Sequence, residues 1–186
     1  MRALVRSGSE KKLPPGCRVV LGDALQSGSF AEHVRGADTL VHLVGVPQAA
    51  PWKADQFRTI DLPSARAAIE AARAAGISHF VYVSVAQPAP VMKAYIAVRA
   101  ECEALIRASG LNATVLRTWY VLGPDHRWPI LLKPIYAFLE FLPATRESAT
   151  RLGLVTLEQM TRALSWAVQN PARGVRIIDV SGMRQR

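Results

Sequence analysis

The sequence predicts a three-layer α/β domain around a parallel sheet, and three observations predict it. Short runs of β-branched and aliphatic residues alternate with longer helical stretches along the chain, the order that gives parallel strands joined by crossover helices. The runs Thr39–Val44 and His79–Ser84 are apolar at nearly every position, as strands covered on both faces are. Glycine, proline or serine closes most of the runs, so turn chemistry marks the boundaries.

Arg2–Val5 is the first strand, closed by Ser7 and Gly8. Pro14, Pro15 and Gly16 turn the chain into a second strand, Arg18–Leu21, which ends at Gly22 and Asp23. Ser29–Val34 is a short helix with Ser27 or Ser29 as its N-cap. The third strand, Thr39–Val44, stops at Gly45. After a loop with Pro47 and Pro51, Ile60–Ala75 is helical, with Ala65, Ile69 and Ala72 on one stripe and Gly76 as the stop. The strand His79–Ser84 and a loop with Pro88 and Pro90 lead to a helix over Lys93–Ala108. Ser109 and Gly110 turn into the strand Ala113–Arg117. Beyond it, Ile130–Phe141 reads as an apolar helix, Gly153–Thr156 as a short strand, Leu157–Gln169 as a helix and Val175–Val180 as a last strand. No linker and no second core stand out. Residues 1–186 read as one domain with a small substrate or partner portion from about residue 122.

Length and composition allow a real core, with 186 residues of which 50% are hydrophobic. The formal charge is +9, but arginines are spread singly and only Lys11 and Lys12 are adjacent. No basic run is interleaved with aromatics, which argues against a nucleic-acid platform. Cys17 and Cys102 are far apart and have no metal-ligand spacing, so they read as free thiols. The start of the chain carries no apolar leader. The most apolar stretch, Pro129–Pro143, is interrupted by Lys133, Pro134 and Glu140 and is shorter than the ~20 residues of a membrane span. A soluble cytoplasmic protein is expected.

Five features in order carry a family resemblance. Val5, Arg6 and Ser7 follow the first strand, and Gly22, Asp23 and Ala24 follow the second. Val41 to Gly45 is a strand ending in a small residue, and Gly76 to Ser84 is a helix-to-strand passage. Tyr95 and Arg99 are four apart, with Glu101 following, ahead of the segment Ser109 to Arg117. Together they resemble the atypical short-chain dehydrogenase/reductases of the NmrA-like and extended type, with a Rossmann-type NAD(P)-binding sheet. The resemblance runs from Arg2 to Gly182.

The resemblance implies that Arg6 and Ser7 meet the adenosine ribose, where a guanidinium pairs with the 2′-phosphate of NADP. It implies that Asp23 and Ala24 flank the adenine and that Val44 and Gly45 run beneath the cofactor. Thr118, which stands where the family has proline, would line the nicotinamide end with Trp119, Tyr120 and Val121. Tyr95 and Arg99 stand where the family has a Tyr–Lys pair. Residues four apart share a helix face, and a cation there lowers the phenol pKa. The other reading is that Tyr95 packs and Arg99 pairs with Glu103 on the next turn. Ser84 is the candidate for a carbonyl-orienting serine, although the family's serine often falls two residues later, at Ala86. His42 reads as a core or near-cofactor histidine, and Asp125 and His126 as loop residues.

The family's glycine-rich pyrophosphate loop, with its strand and helix, has no counterpart in the sequence. The expected architecture is therefore a Rossmann-type sheet whose first βα unit is missing, with weakened affinity for NADP (or NAD). The expected function is an NADP-preferring reductase-like protein acting on an unknown small molecule, or a non-catalytic regulatory or assembly module. Without that unit, the strands of Leu4 and Leu40 lose the partner between them. They are expected to pair directly with each other or to recruit another copy, as a homo-oligomer.

Overall fold

The computed structural model describes residues 1–89, 91–123 and 152–186. In chain order, strand β1 (Arg2–Val5) and strand β2 (Arg18–Leu21) come first, then the one-turn helix α1 (Ala31–Val34). Strand β3 (Thr39–His42) follows. A continuous helical run then starts with a 3-10 turn (Pro51–Lys53) and the short helix α2 (Ala54–Gln56). It continues through a π-turn (Phe57–Asp61) into the long helix α3 (Leu62–Ala74). Strand β4 (His79–Val85), helix α4 (Lys93–Ala108), strand β5 (Ala113–Thr118) and strand β6 (Tyr120–Leu122) follow. The last elements are β7 (Leu154–Thr156), helix α5 (Leu157–Gln169), β8 (Val175–Ile178) and the short helix α6 (Val180–Arg184).

The central sheet has the order β3-β4-β5-β8 and every pairing in it is parallel. Leu40 lies opposite Phe80 and Val41 opposite Val81, so the expected parallel α/β sheet is the one that forms. α3 and α4 cover one face: Ala65, Ile69 and Ala72 meet Phe80, Tyr82 and Val115, joined by Val98, Cys102 and Ile106. α5 and α6 cover the other face, where Met160, Ala163, Ala167 and Met183 pack on Val81, Leu116 and Ile178.

β1 and β2 form a separate parallel pair, and β6 and β7 another. β1 does not pair with β3, so the expected direct closure does not occur. α3 accounts for this. Its Ala67 and Ala71 pack with Val20, Phe30 and Leu4, while its Ala65, Ala68 and Ala72 pack with the central sheet. One helix supports both sheets and holds them side by side.

Four local expectations need correction. β3 ends at His42 rather than Val44, and it is not covered on both faces: His42 is buried, yet Val41 is 39% and Leu43 61% exposed. No strand pairs with its outer edge among the described residues. Neither Ser27 nor Ser29 caps α1; the Ser29 hydroxyl instead accepts from the Asp23 amide and ties down the turn after β2. The helical run begins at Pro51, ahead of Ile60, because proline suits a first helical turn. The last strand stops at Ile178, because the Asp179 side chain accepts from the Gly182 amide and starts α6. The expected helix Ile130–Phe141 and the pair Asp125 and His126 lie outside the described residues.

Candidate active site

In a parallel sheet every strand points its C-terminal end to the same edge, and ligands of such sheets bind there. The candidate positions Arg6, Ser7, Asp23, Ala24, Val44, Gly45, Ser84 and Thr118 lie at or just past the C-terminal ends of β1 to β5, and Tyr95 and Arg99 lie in the first two turns of α4. At the β1–β2 pair, Val5 is opposite Leu21, which brings Arg6 and Ser7 beside Asp23 and Ala24. Arg6 and Ser7 are exposed. Asp23 folds its own turn, accepting from the Leu25 amide at 3.0 Å.

Beyond β3 the chain passes over a buried ion pair. Asp61, at the end of the π-turn, accepts from the Val46 amide at 2.8 Å and faces Arg99 Nη2 at 3.2 Å. Arg99 Nη1 donates to Tyr82 Oη at 3.0 Å and to the Val83 carbonyl at 3.1 Å. A Cβ on Gly45 would collide with Arg99 Nη2, so glycine is needed at this crossing. Gly45, Asp61 and Arg99 thus interlock the end of β3, the start of α3, the end of β4 and α4. Arg99 is therefore paired with Asp61, not with Glu103 as the packing alternative held. Burial pushes the Asp61 carboxyl up, an effect only partly offset by Arg99 and the Val46 amide.

Tyr95 is half-buried against Phe57, with ring centroids 4.9 Å apart, and the Arg99 guanidinium lies 5.1 Å from its ring. Burial raises its phenol pKa and outweighs the pull of Arg99. The direction is opposite to that expected from the four-residue spacing, because desolvation of the buried phenol exceeds the effect of the neighbouring cation. His42 stacks beside Tyr82 at 5.6 Å. Burial first, then Arg99, lowers its pKa to about 3, so it is a neutral core residue at physiological pH.

Ser84 is buried on the α4 side of the sheet and donates to Glu103 Oε1 at 2.7 Å. Glu103 also accepts from Gln87, Arg107 and Arg117, the last through two nitrogens at 3.0 and 2.6 Å. Burial alone would push this carboxyl up, but the Arg117 and Ser84 hydrogen bonds and the two arginine charges hold it below the usual carboxylate range. At the end of β5, Thr118 is buried and its hydroxyl has no hydrogen-bond partner among the described residues. Trp119 and Tyr120 follow edge to face, 5.8 Å apart. Val121 packs into the α5–α6 core. Ser84, Arg99 and Thr118 are thus the buried candidates, and Val121 is partly buried.

Sequence reasoning passed over Asp61. The available signal was a lone carboxylate between Ile60 and Leu62 in an otherwise apolar stretch; a buried acid implies a buried base. Among the described residues no cluster of histidine, cysteine and acids is arranged to hold a metal ion. Both cysteines are free.

A parallel sheet with helices on both faces and ligand-facing loops at its C-terminal edge defines a dinucleotide-type α/β protein. The family model described as NAD(P)H-binding matches residues 1–128, so the chain belongs to the NAD(P)H-binding family. A curated relative, ceramide reductase of Caulobacter vibrioides, is 26% identical over 167 residues, covering 90% of this chain and 51% of its own length. The chain thus spans about half of that relative. Among solved structures, the fold matches the Bordetella bronchiseptica enzyme WbmH in complex with NAD+ (TM-score 0.68, 17% identity, 96% of this chain and 66% of that one). It also matches a Thermus thermophilus UDP-glucose 4-epimerase complex with NAD (TM-score 0.64, 15% identity, 96% and 69%). These are likenesses of fold.

Proposed function

We propose that the protein is an NADP-preferring reductase of small carbonyl compounds, with its site along the C-terminal edge of the sheet. The family match over residues 1–128 is the observation that carries this reading. The residues fit the two ends of a nicotinamide dinucleotide. Arg6 and Ser7 stand exposed beside Asp23 and Ala24 at the adenosine end. The Thr118 hydroxyl, unpartnered among the described residues, is at the nicotinamide end with Trp119 and Tyr120. Val44 and Gly45 lie between them. When bound, the dinucleotide supplies a hydride. Tyr95, which burial keeps protonated, supplies the proton to the carbonyl oxygen. Arg99 positions Tyr95 through the ring contact while its charge is shared with Asp61. The name of the Caulobacter relative fits the reductive direction.

One observation favours a second reading. Arg99 and Ser84 are each tied to a buried carboxylate, which suits a non-catalytic module that keeps the fold for protein contacts. Titration of NADPH, followed by its fluorescence, decides between them. Saturable binding with carbonyl-dependent oxidation supports the enzyme, and no binding at millimolar NADPH supports the module. The same titration tests cofactor choice. An ionic contact to a 2′-phosphate contributes about 1.5–3 kcal/mol, tenfold or more in affinity. Arg6→Ala should weaken NADPH by that factor and leave NADH nearly unchanged; equal losses would show that Arg6 does not read the phosphate.

A further inference from the structure

The largest exposed aromatic side chain among the described residues is Trp52, 84% exposed on the 3-10 turn that follows β3. Val91, 55% exposed, stands two residues before α4. Phe57 and Tyr95 lie about one helical turn beyond these two positions, and their rings are in contact at 4.9 Å. Trp52 and Val91 therefore end neighbouring loops on the same edge of the sheet. Leu43, 61% exposed just past the end of β3, lies on that edge as well.

A single exposed apolar residue needs no explanation, but several on one edge mark a contact surface. The charges beside them say which kind. Lys53 follows Trp52, and Lys93 is two residues after Val91, where it starts α4. Lys53 Nζ donates to the Pro47 carbonyl, which fixes its charge on the loop that follows β3. Asp55 is the acid nearest in sequence, and the chain carries a formal charge of +9. Indole and lysine are the pair suited to the boundary between headgroups and acyl chains, the ring at the apolar level and the ammonium among the phosphates. An apolar protein groove would accept Trp52 and Val91 but gives no reason for the flanking lysines. We propose that the edge carrying Leu43, Trp52 and Val91 docks on an anionic lipid surface, with Lys53 and Lys93 at headgroup level. The surface shares the C-terminal edge with the proposed cofactor site and Leu43 adjoins Val44, but Trp52 and Val91 do not belong to that site, and vesicle binding without NADPH tests the surface by itself.

The whole chain is sedimented with vesicles of phosphatidylcholine, with and without phosphatidylglycerol. The expected result is binding to the anionic vesicles that weakens with salt. Trp52→Ser combined with Val91→Ser should lower the partition coefficient about tenfold. Lys53→Gln with Lys93→Gln should do the same and flatten the salt dependence. Lys11→Gln with Lys12→Gln, in the connection between β1 and β2, should change binding much less. Thermal melting checks that each variant is folded; all these side chains are at the surface. No sedimentation of the native chain overturns the proposal. So does equal binding of the Trp52→Ser, Val91→Ser variant, which would mean charge-only attraction, and so does a uniform loss in every lysine variant.

Discussion

The strands divide into two halves built by the same rule and covered differently: the inner strands of the four-stranded sheet, and the separate β1–β2 pair with the edge strand β3. β4 and β5 are packed between α3 and α4 on one face and α5 and α6 on the other, while the edge strand β8 leaves Ile177 42% exposed. In β4 and β5, Phe80, Val81, Val115 and Leu116 have no exposed surface. Among the described residues, β1, β2 and β3 rest on α3 and α1 on one face only. Val20 is buried towards α3, whereas Val19 and Leu21 beside it, and Val41 in β3, remain 39–54% exposed. An apolar side chain contributes to stability only when water is removed from it. The first half is thus held from two sides, and the second by a helix it shares with its neighbour. The difference teaches that strand composition does not by itself reveal how many faces are covered.

The strongest way to break this arrangement is to cut the interlock between the halves. Arg99→Met leaves Asp61 buried and uncompensated, a loss of about 3–5 kcal/mol. Arg99→Met combined with Asp61→Leu should recover much of it, measured by denaturant unfolding. If the single variant is as stable as the native chain, the ion pair does not join the halves.

Truncation inside the two halves should separate them next. Leu116→Ala, in the covered half, should cost about 2–5 kcal/mol, whereas Leu43→Ser should stay within about 0.5 kcal/mol. Hydrogen exchange sharpens the same contrast: amides of Val81 and Val115 should exchange only on global opening, and those of Leu4 and Leu40 much faster. Protection of the Leu4 and Leu40 amides that rises with protein concentration would instead indicate association of copies through these strand edges.

The smallest effects are in the response to acid, and each half has its own window. His42, in β3, is held neutral in the fold, with a pKa of about 3 against an ordinary value near 6.5. Its stabilising contribution is complete above pH ~6.5 and declines as pH falls below that. Glu103, on α4, has a depressed pKa. Its contribution is present above the ordinary carboxylate value of about 4.3 and is lost as pH falls through the lower folded value. His42→Phe should flatten the loss of stability between pH ~6.5 and ~3, and Glu103→Gln the loss below the ordinary carboxylate value of about 4.3. Urea midpoints measured across this range test both; unchanged slopes would show that neither group is coupled to folding.

Much of the fold was legible in the sequence because its signals are local. The apolar runs at Arg18–Leu21 and His79–Val85, the helices Lys93–Ala108 and Leu157–Gln169, and the stops at Gly76 and Gly110 follow from periodicity and turn chemistry. The gathering of Arg6 with Asp23, and of Gly45 with Arg99, follows from parallel order, since parallel strands deliver their C-terminal ends to one edge. Other features depend on contacts that no local pattern encodes. Tyr95 and Arg99 share a helix face by spacing alone, yet the partner that takes the arginine charge, Asp61, arrives from 38 positions earlier (99 − 61) through packing of two helices. Ser84 was placed at a strand end by counting, but its hydroxyl was claimed by Glu103 once α4 lay on that face. The sequence thus determined which residues form strands and helices and which loops share an edge. Only the tertiary structure decided where charges were neutralised and which faces stayed open, because desolvation and pairing depend on neighbours remote in the chain.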